Sequence, residues 1–458
     1  MVHQYKNNGY NIVLDVCSGS VHVVDDLVYD IISLYEENDK EQIIKALSQY
    51  DSADVSEAYD EVAQLVEDGT LFTDDVYKDY IIDFKKRKTV VKALCLHIAH
   101  DCNLACRYCF AGEGEYKGDR ALMSLEVAKK SLDFLVANSG LRRNLEVDFF
   151  GGEPLMNFDM VKKLVAYCRE QEKIHNKNFR FTLTTNGVLL NDEVQEFVNK
   201  EMSNVVLSID GRKEVHDYMR PFRNGRGSYD LVLPKFEKLA ESRNQEKYYV
   251  RGTFTRNNKD FSNDVLHLAD LGFKQISVEP VVGSDEEEYA LREEDLPEIF
   301  AEYDKLAAEM VKRYHTDKEF NFFHFMLDLT GGPCVAKRLS GCGSGTEYLA
   351  VTPWGDLYPC HQFVGEEKYL MGNVDEGLKR TDIRDEFKEC NVYSKEKCRN
   401  CFAKFYCSGG CAANSYKFHG SINDAYDISC ELERKRVECA IMIKAAEAEK
   451  DEARNEEK

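Results

Sequence analysis

Between residues 91 and 280, six short apolar runs alternate with longer stretches in which apolar residues recur at helical spacing. The apolar runs are ALCLHIAH, LEVDFFGG, FRFTLTTNG, VVLSIDG, YYVRGTFT and QISVEPV. Parallel strands have to be joined by a long crossover, usually a helix, so six β/α units in succession predict a parallel sheet. The simplest fold of this α/β class is an open (β/α)6 partial TIM barrel, which we place at residues 91–315.

Polar residues follow the strands of this predicted barrel at the ends where function is expected. HDC follows the first strand, GGEP the second, TTNG the third and SIDG the fourth. In barrel-like α/β folds the active site lies at the carboxyl ends of the strands, because the loops that follow the strands meet there. The repeated position is stronger evidence for one shared site than any single motif.

The first 85 residues have a different pattern and form a separate unit. NIVLDV and VHVVDD alternate apolar and polar residues around CSGS, which predicts a hairpin, and three stretches at helical spacing follow. We predict a winged-helix-like domain over residues 1–85, joined to the barrel by the charged linker DFKKRKTV. It is either a packed accessory domain or a peptide-recognition domain, since an exposed strand edge can accept an extended peptide.

Composition and charge limit the cellular compartment and the classes of partner that we expect. The first residues, MVHQYKNNGYNIVL, lack the features of a signal peptide, and no run of 18 apolar residues is present to span a membrane. We therefore expect a cytoplasmic protein without membrane contact, whose 16 cysteines serve metal binding or catalysis rather than disulfides. The net charge of −22 repels polyphosphate, so no nucleic-acid partner is expected.

Three of these cysteines, Cys102, Cys106 and Cys109, follow the first barrel strand within eight residues. A structural zinc ion takes four protein ligands, usually from two C-x2-C pairs, whereas this loop supplies three thiols at C-x3-C-x2-C spacing. A cubane iron–sulfur cluster is bound by up to four thiolates, so three of them would leave one iron open. An open iron could bind a small chelating molecule and pass an electron to it.

A second group of cysteines lies in the C-terminal region, which we place at residues 330–445. Cys342 and Cys360 bracket EYLAVTPWGDLYPC, which predicts a hairpin, and five more thiols follow at C-x2-C-x5-C-x3-C-x18-C spacing. These five are Cys398, Cys401, Cys407, Cys411 and Cys430. Seven thiolates exceed what one tetrahedral ion uses, so we expect two metal centres, either zinc ribbons or iron–sulfur clusters. Residues 446–458 have the composition of a charged, solvated helix end.

The C-x3-C-x2-C motif, with Tyr108 before its last cysteine, at the end of the first strand of a (β/α)6 chain, resembles the radical S-adenosylmethionine (SAM) superfamily. The resemblance implies that Cys102, Cys106 and Cys109 hold a 4Fe-4S cluster whose open iron binds SAM. One electron would then cleave SAM to methionine and a 5′-deoxyadenosyl radical. The residues that would contact SAM by this resemblance are Tyr108, Gly151, Gly152, Glu153, Asn186, Ser208, Asp210 and Arg220.

Several of these residues also have a purely structural interpretation. Gly151 and Gly152 would suit any strand-to-helix turn. Asn186 and Asp210 could cap a following helix or turn, and Arg220 could form a surface ion pair. The resemblance to the radical SAM superfamily instead implies that the glycines allow close backbone approach to SAM. It also implies that the carboxylate next to them offsets the charge of the SAM ammonium group.

The C-terminal cysteines are similar to the SPASM domain, which follows many radical SAM enzymes that modify peptides and binds two auxiliary 4Fe-4S clusters. Gly355 lies five residues before Cys360, as the SPASM motif requires, and the last gap is one residue longer than in the motif. The resemblance assigns Cys398, Cys401, Cys407 and Cys430 to cluster II, and Cys342, Cys360 and Cys411 to cluster I. Cluster I is then one ligand short, and Cys334 either completes it or leaves an open iron for a substrate thiolate. The remaining thiols, Cys17, Cys95, Cys168, Cys390 and Cys439, are expected to be buried structural residues.

Over nearly its full length the chain resembles radical SAM and SPASM maturases of ribosomally made peptides, and among them those of the six-cysteine SCIFF peptides. This resemblance implies an enzyme that joins a cysteine sulfur to a carbon of an acceptor residue, often threonine, as a thioether. Its expected partners are a Cys-rich precursor peptide, bound through the N-terminal domain, and an external one-electron donor of the flavodoxin or ferredoxin type. The alternatives are a formylglycine-forming sulfatase maturase, another peptide-modifying SPASM enzyme, an iron–sulfur electron carrier and a zinc-ribbon scaffold.

Overall fold

The computed structural model describes residues 1–79, 81, 88–284, 286–329 and 335–456. Cys334 and most of the predicted linker lie outside these residues. The described chain forms a small antiparallel sheet near the N-terminus and a large sheet that contains the remaining strands.

The N-terminal unit consists of the small sheet and three helices. The sheet has the order β1-β2-β3, with β1 Val2–Asn7, β2 Tyr10–Asp15 and β3 Val21–Val24, and the helices are α1 Asp26–Tyr35, α2 Lys40–Ala46 and α3 Ser52–Glu67. Each helix begins after an aspartate, Asp25, Asp39 or Asp51, whose side chain accepts a hydrogen bond from the first turn. These elements follow the predicted order, with β1 in addition. The sequence of β1, VHQYKN, has too few apolar residues to be recognised as a strand.

The large sheet contains the run of parallel strands that the sequence predicted. Its first strands are β4 Ala93–His100, β5 Ala121–Leu122, β6 Asn144–Gly151, β7 Asn178–Thr185, β8 Asn204–Ser208, β9 Tyr248–Phe254, β10 Gln275–Pro280 and β11 Asn321–Phe322. The order β4-β6-β7-β8-β9-β10 is parallel throughout, β11 extends it beyond β10, and β5 pairs antiparallel with β4. The predicted parallel sheet of an α/β fold is therefore confirmed.

Helices connect these parallel strands, as the geometry of a parallel sheet requires. They are α4 Leu125–Asn138, α5 Phe158–His175, α6 Asp192–Glu201, α7 Lys213–Met219, α8 Tyr229–Ser242, α9 Phe261–Asp270 and α10 Leu296–Arg313. All eight residues of β4 are buried, as expected for a central strand that is covered on both faces. Helix α10 begins at Leu296 with a proline in its first turn, where the missing N–H group costs no helix hydrogen bond.

The C-terminal region continues the large sheet and then becomes mostly helical. The strands β12 Tyr348–Val351 and β13 Asp356–Tyr358 form the predicted hairpin, and β14 Gly372–Asn373 and β15 Gly377–Leu378 extend it. The helices are α11 Val335–Ser340, α12 Thr381–Glu389, α13 Glu396–Arg399, α14 Lys404–Cys407, α15 Ala412–His419 and α16 Asp427–Glu456. Strand β12 also pairs in parallel with β4. The cysteine-rich region thus shares one sheet with the predicted barrel, which the sequence did not indicate.

The small N-terminal sheet buries residues on both of its faces. Val13 belongs to the core that α1, α2 and α3 form, whereas Ile12 and Leu14 belong to the main core of the molecule. Successive side chains of a strand point to opposite faces, so β2 joins the N-terminal unit to the rest of the chain. On β1, the Tyr5 hydroxyl donates a 2.9 Å hydrogen bond to the backbone oxygen of Glu438 in α16.

A buried ion pair holds the N-terminal unit to the cysteine-rich region. Lys404 Nζ lies 2.8 Å from Asp75 Oδ2, with 2% and 11% of the two side chains exposed. The Tyr393 hydroxyl donates a second hydrogen bond to Asp75, at 2.6 Å. Burial alone would raise the pKa of Asp75, but the hydrogen bonds from Lys404 and Tyr393 lower it below its usual value.

The charged residues near the end of the chain continue α16, and they are held in place by contacts. Glu449 accepts a 2.5 Å hydrogen bond from the Tyr10 hydroxyl, and Asp451 Oδ1 lies 2.6 Å from His315 Nε2. Ala446 is 1% exposed. Through these contacts this part of α16 packs against the N-terminal unit and the end of α10, while residues 448–450 and 452–456 are exposed to solvent. None of the helices in the described ranges is both long and apolar enough to cross a membrane.

Replacing Lys404 by Met should destabilise the fold, because Asp75 would keep a buried charge without its cation. Removing one partner of a buried ion pair typically costs about 3–5 kcal/mol, and we expect a loss of unfolding free energy in this range. Chemical denaturation of the reconstituted protein measures it. The matched control is Lys40→Met, which removes a pair with Asp60 whose side chains are 33% and 68% exposed, and should change stability by at most about 1 kcal/mol. Equal effects of the two substitutions would contradict the proposed anchoring.

Candidate active site

The three thiols of the first motif lie on the wall of a cavity of about 770 Å³, a volume typical of small-molecule sites. They follow β4, and their loop is fixed by backbone hydrogen bonds from Ala105 to Pro221 and from Arg107 to Met219, both 2.9 Å. The same cavity is lined by Tyr108, Gly151, Gly152, Glu153, Asn186, Ser208 and Arg220. The structure thus brings together the ends of β4, β6, β7 and β8. Of the residues predicted to contact SAM, Asp210 alone lies behind the cavity lining.

The two glycines of the GGEP motif are required by contact with the cysteine loop. A side chain on Gly152 would place its Cβ 2.1 Å from the backbone oxygen of Asp101, and one on Gly151 would lie 2.4 Å from that of Ala99. Gly151 also has a φ of 125°, which only glycine adopts without strain. The backbone nitrogen of Gly152 donates to Ala99 at 2.8 Å, and that of Glu153 donates to Asp101 at 2.9 Å. The sequence predicted that these glycines allow close backbone approach, and the structure shows such an approach to the backbone at the end of β4.

Glu153 ties the end of β6 to the end of β7. Its side chain is fully buried, and it accepts hydrogen bonds from the Thr185 hydroxyl at 2.7 Å and from the Asn186 backbone nitrogen at 2.8 Å. Burial raises the pKa of Glu153, while these hydrogen bonds favour its charged form. Asn186 Nδ2 in turn lies 2.7 Å from Asn103 Oδ1 and 3.6 Å from Cys102 Sγ. Asn186 therefore contacts the thiol loop directly.

Tyr108, Asp210 and Arg220 form a buried hydrogen-bonded chain beside the thiols. The Tyr108 hydroxyl donates to the Asp210 carboxylate at 2.7 Å, and Arg220 Nη1 donates to that hydroxyl at 2.9 Å. Burial raises the pKa of Asp210 to about 6, although Arg220 opposes the shift. Arg220 is thus no surface ion-pair residue, and Asp210 acts here by fixing Tyr108. Ser208 lines the cavity at the end of β8.

Burial in this loop raises the pKa of two of its thiols, Cys102 and Cys106. Burial raises the pKa of Cys102 to about 12, and the nearby Glu153 carboxylate adds to the shift. Burial likewise raises the pKa of Cys106 to about 11, while Arg220 lowers it. Without iron these groups are neutral thiols. Iron would have to displace their protons, because the thiolate is the metal ligand.

The C-terminal cysteines fall into two electrostatic groups. Burial and then the charges of Cys411 and Cys342 raise the pKa of Cys360, whereas burial, Cys398 and Cys401 raise that of Cys430 to about 11. We name Cys342, Cys360 and Cys411 set I, and Cys398, Cys401, Cys407 and Cys430 set II. Burial raises the pKa of Cys407, and the charges of Cys430 and Cys398 raise it further, so we include Cys407 in set II. The assignment of these two sets as the ligands of two clusters, which the SPASM resemblance implies, stays a prediction.

The described residues include neither Cys334, the candidate fourth ligand of set I, nor a site for a single metal ion. Cys334 lies outside them. Among the residues described, no three His, Cys, Asp or Glu side chains are gathered closely enough to hold one metal ion. A 4Fe-4S cluster binds each thiolate through a different iron, so its ligands are spread more widely than those of one ion.

The cavity also contains charged residues that the sequence analysis did not single out. Arg251 on β9 and Glu279 on β10 form a two-point ion pair, with distances of 3.0 Å and 2.7 Å. Burial would raise the pKa of Glu279, but Arg251, His324 and Arg436 hold it at about 2. His361 lines the same cavity. The position of Arg251 and Glu279 near the carboxyl ends of their strands could have indicated them, whereas no sequence signal indicated His361.

Two buried donors near the thiols support the presence of a bound ligand. Arg220 Nε and Asn103 Nδ2 have no hydrogen-bond partner within the described chain. A buried donor without a partner typically costs about 1–3 kcal/mol, so an acceptor is expected beside it. A SAM carboxylate could supply one, and three thiols on the same wall suit a 4Fe-4S cluster with one open iron. The residues present therefore fit both groups.

Replacing Gly152 by Ala should displace the thiol loop, since the new methyl group would overlap the Asp101 backbone. We expect a loss of at least about 1–3 kcal/mol in unfolding free energy, together with loss of the iron bound by Cys102, Cys106 and Cys109. Denaturation and iron analysis measure the two effects. Gly118→Ala is the control, because its Cβ would come no closer than 3.6 Å to Glu115 O. Full iron content in Gly152→Ala would refute the role given to this contact.

Replacing Arg220 by Met should weaken SAM binding, because a buried donor and its charge would be lost. A hydrogen bond to a charged group is worth about 1.5–3 kcal/mol, which corresponds to a rise in the SAM dissociation constant of roughly 10- to 100-fold. Equilibrium binding to anaerobically reconstituted protein measures it. Arg226→Met, in the same loop but exposed, should leave the constant unchanged. A normal constant in Arg220→Met would exclude Arg220 from the SAM site.

Three comparisons show what the chain is similar to. An uncharacterised protein of Methanocaldococcus jannaschii is 28% identical over 307 residues, covering 67% of this chain and 96% of that protein. A cysteine-type anaerobic sulfatase-maturating enzyme of Clostridium novyi is 25% identical, covering 72% of this chain and 90% of that enzyme. The crystal structure of Streptococcus suis SuiB bound to its precursor peptide SuiA has a TM-score of 0.53 at 16% identity, and covers 94% of this chain and 98% of SuiB. The last comparison shows a shared fold.

Two family models match the chain at the motifs described above. Residues 96–260 match the Radical SAM superfamily, and residues 342–402 match SPASM, an iron–sulfur cluster-binding domain. The first range contains the three-thiol loop and the GGEP motif, and the second begins at Cys342. The chain therefore contains a radical SAM domain followed by an iron–sulfur cluster-binding SPASM domain.

Proposed function

We propose that this enzyme joins cysteine sulfurs to a carbon of an acceptor residue, often threonine, as thioethers in a ribosomally made, Cys-rich peptide. One observation carries the proposal: residues of the thiol loop and residues next to set I line the same cavity. His361 follows Cys360, and Ala413 lies two residues after Cys411. A space bounded by both regions can hold a reacting C–H group near SAM and a peptide sulfur near set I.

Cys102, Cys106 and Cys109 would hold the cluster, and the cluster with SAM would supply a primary carbon radical able to take a hydrogen atom from the acceptor residue. The residues of this chain hold the reactants and exclude water. Arg220 offers its Nε donor, which has no partner among the described residues, to the polar groups of SAM, and Glu153 fixes the strand ends around it. Phe110 and Phe150 on the cavity wall limit what can reach so reactive a group.

The atoms and electrons of the proposed reaction balance with an external carrier. Each thioether forms one carbon–sulfur bond and breaks one C–H and one S–H bond. The hydrogen atom leaves in 5′-deoxyadenosine, the thiol gives up a proton, and one electron remains. An external one-electron carrier of the flavodoxin or ferredoxin type supplies the first electron and accepts the last one.

We assign peptide recognition to the N-terminal unit, and the open edge of β3 supports this role. In the described chain β3 pairs only with β2, while the opposite edge strand, β1, contacts α16. Val23 on β3 is 54% exposed, and His22 Nε2 lies 3.0 Å from the Thr70 backbone oxygen, which fixes the strand to the chain after α3. An extended peptide could add to this edge as a fourth strand.

The finer architecture belongs to the same proposal. We infer that the six parallel strands curve as an open (β/α)6 partial TIM barrel around SAM, and that residues 1–85 act as a winged-helix-like recognition domain. We also infer a cytoplasmic enzyme, because a reducing compartment keeps its many thiols free for iron. By binding the precursor peptide, the recognition domain raises the effective concentration of its reacting residues.

A formylglycine-forming sulfatase maturase is the second candidate, and the similarity to the Clostridium novyi enzyme favours it. That alignment covers 90% of the relative but 72% of this chain, whereas the SuiB structure covers 94%. The SuiB match leaves fewer residues of this chain uncovered than the N-terminal unit contains, so it reaches residues to which we assign peptide recognition. It therefore supports a dedicated precursor peptide over a folded sulfatase.

Mass spectrometry of a six-cysteine precursor peptide, incubated anaerobically with SAM, reductant and the reconstituted enzyme, tests the proposed function. We expect the peptide to lose two hydrogens per bridge and one alkylatable cysteine per bridge. The variant with Cys102, Cys106 and Cys109 all replaced by Ala should form no deoxyadenosine and no bridge, yet keep the iron of sets I and II.

Two results would decide against thioether formation in this experiment. An aldehyde in place of a cysteine, detected with a hydrazide reagent, would identify the formylglycine reaction instead. Deoxyadenosine formation by the triple variant would refute the assignment of the thiol loop.

Hydrogen exchange tests the peptide-binding edge without altering the protein. Adding the precursor peptide should slow amide exchange in β3, because new hydrogen bonds would cover its free edge. Strand β15, which ends the opposite side of the large sheet, is the internal control and should exchange at an unchanged rate. Binding of the peptide with no protection in β3 would place recognition elsewhere.

A further inference from the structure

Lys395 is a buried cation between the two thiol sets of the SPASM domain. It is 2% exposed and directly precedes α13, which contains Cys398 of set II. Its Nζ donates a 2.7 Å hydrogen bond to the backbone oxygen of Gly409. Gly409 lies in the loop between Cys407 of set II and Cys411 of set I.

A cavity beside Lys395 connects it with a second member of set I. Lys395 and Cys342 line one cavity of about 270 Å³, together with Cys390. Cys390, expected to be an ordinary buried residue, is only partly buried and hydrogen-bonds to Lys395. The charge of Lys395 also lowers the pKa of Cys398 and of Cys411, one thiol from each set, against the upward effect of burial.

Within the described residues Lys395 has no carboxylate at ion-pair distance, and its hydrogen-bond partners are a carbonyl oxygen and a thiol. A buried charge is normally paired, because leaving water costs far more than one neutral hydrogen bond returns. The same region shows the usual solution: Lys404, also 2% exposed, is paired with Asp75. The missing partner of Lys395 is therefore expected to be an anion that the described residues do not provide.

We propose that Lys395 is a positioning residue that supplies a shared counter-charge to both auxiliary clusters and raises the reduction potential of each. The proposal rests on the assignment of sets I and II to two 4Fe-4S clusters. Such a cluster with its thiolates carries net negative charge, which increases when it is reduced. A nearby buried cation favours the more negative state, and so raises the potential.

Redox titration followed by electron paramagnetic resonance tests this role without using enzyme activity. The protein is the full chain with Cys102, Cys106 and Cys109 replaced by Ala, so that the auxiliary clusters alone contribute signals. Adding Lys395→Met should shift the midpoint potentials of both clusters to more negative values. Lys395→Gln, which can keep a donor toward Gly409 but removes the charge, should shift them in the same direction.

The matched control is Lys397→Met, two residues away, whose side chain is 42% exposed and pairs with Asp427. Its loss should leave both potentials unchanged, because solvent screens an exposed charge. If neither neutral variant of Lys395 retains auxiliary iron while Lys395→Arg does, the need for a positive charge is supported directly.

Three outcomes would overturn the proposal. Full iron content with unchanged potentials in Lys395→Met would show that Lys395 is structural, and a shift of one cluster alone would show that it is not shared. An unshifted Lys395→Gln would reduce its role to the hydrogen bond with Gly409. Absence of two auxiliary clusters from the protein with native Lys395 would instead refute the cluster assignment itself, and iron analysis separates this case from the others.

Discussion

Two backbone hydrogen bonds between the end of β4 and the end of β6 keep the candidate site in register. They run from Gly152 to Ala99 and from Glu153 to Asp101, and they require the chains to approach so closely that only glycine fits at positions 151 and 152. Glu153 then holds β7 through Thr185 and Asn186, and Asn186 reaches back to the thiol loop. The motif GGE is thus a backbone junction as much as a ligand contact, and the positions of the three thiols depend on it.

Local patterns were enough to predict the parallel sheet, the C-terminal hairpin and the helices of the N-terminal unit. Each depends on residue spacing within one segment, which the sequence displays directly. The pairing of β12 with β4, the burial of Arg220 and the Arg251–Glu279 pair depend on segments that are distant in sequence. Their energies come from tertiary contacts, and no local pattern encodes those contacts. Strand β1 was missed for a related reason, since it is held by its neighbours rather than by its own composition.

Burial sets the charge state of the site before any iron is present. The thiols of Cys102, Cys106 and Cys430 have pKa values raised to about 11 or 12, so they are neutral near pH 7. The Arg220 Nε atom and the Lys395 side chain meanwhile lie buried near thiols of the two regions, with a donor atom or a charge that the described residues leave unmatched. Loading of clusters would deprotonate the thiols and give both cations an anionic neighbour. Protein stability and cluster assembly should therefore be coupled in this enzyme.

Helix α16 contacts elements from both ends of the chain. It contains Cys430 near its start, meets β1 at Glu438 and meets the next strand at Glu449. During synthesis the N-terminal unit emerges first, but the surface on which β1 rests is translated several hundred residues later. Until then, the nascent N-terminal unit can fold around its own small core, yet one face of its sheet stays uncovered. Ribosome-bound chains would hence expose an apolar surface that chaperones can bind. The N-terminal unit can dock in its final position only after α16 has been synthesised.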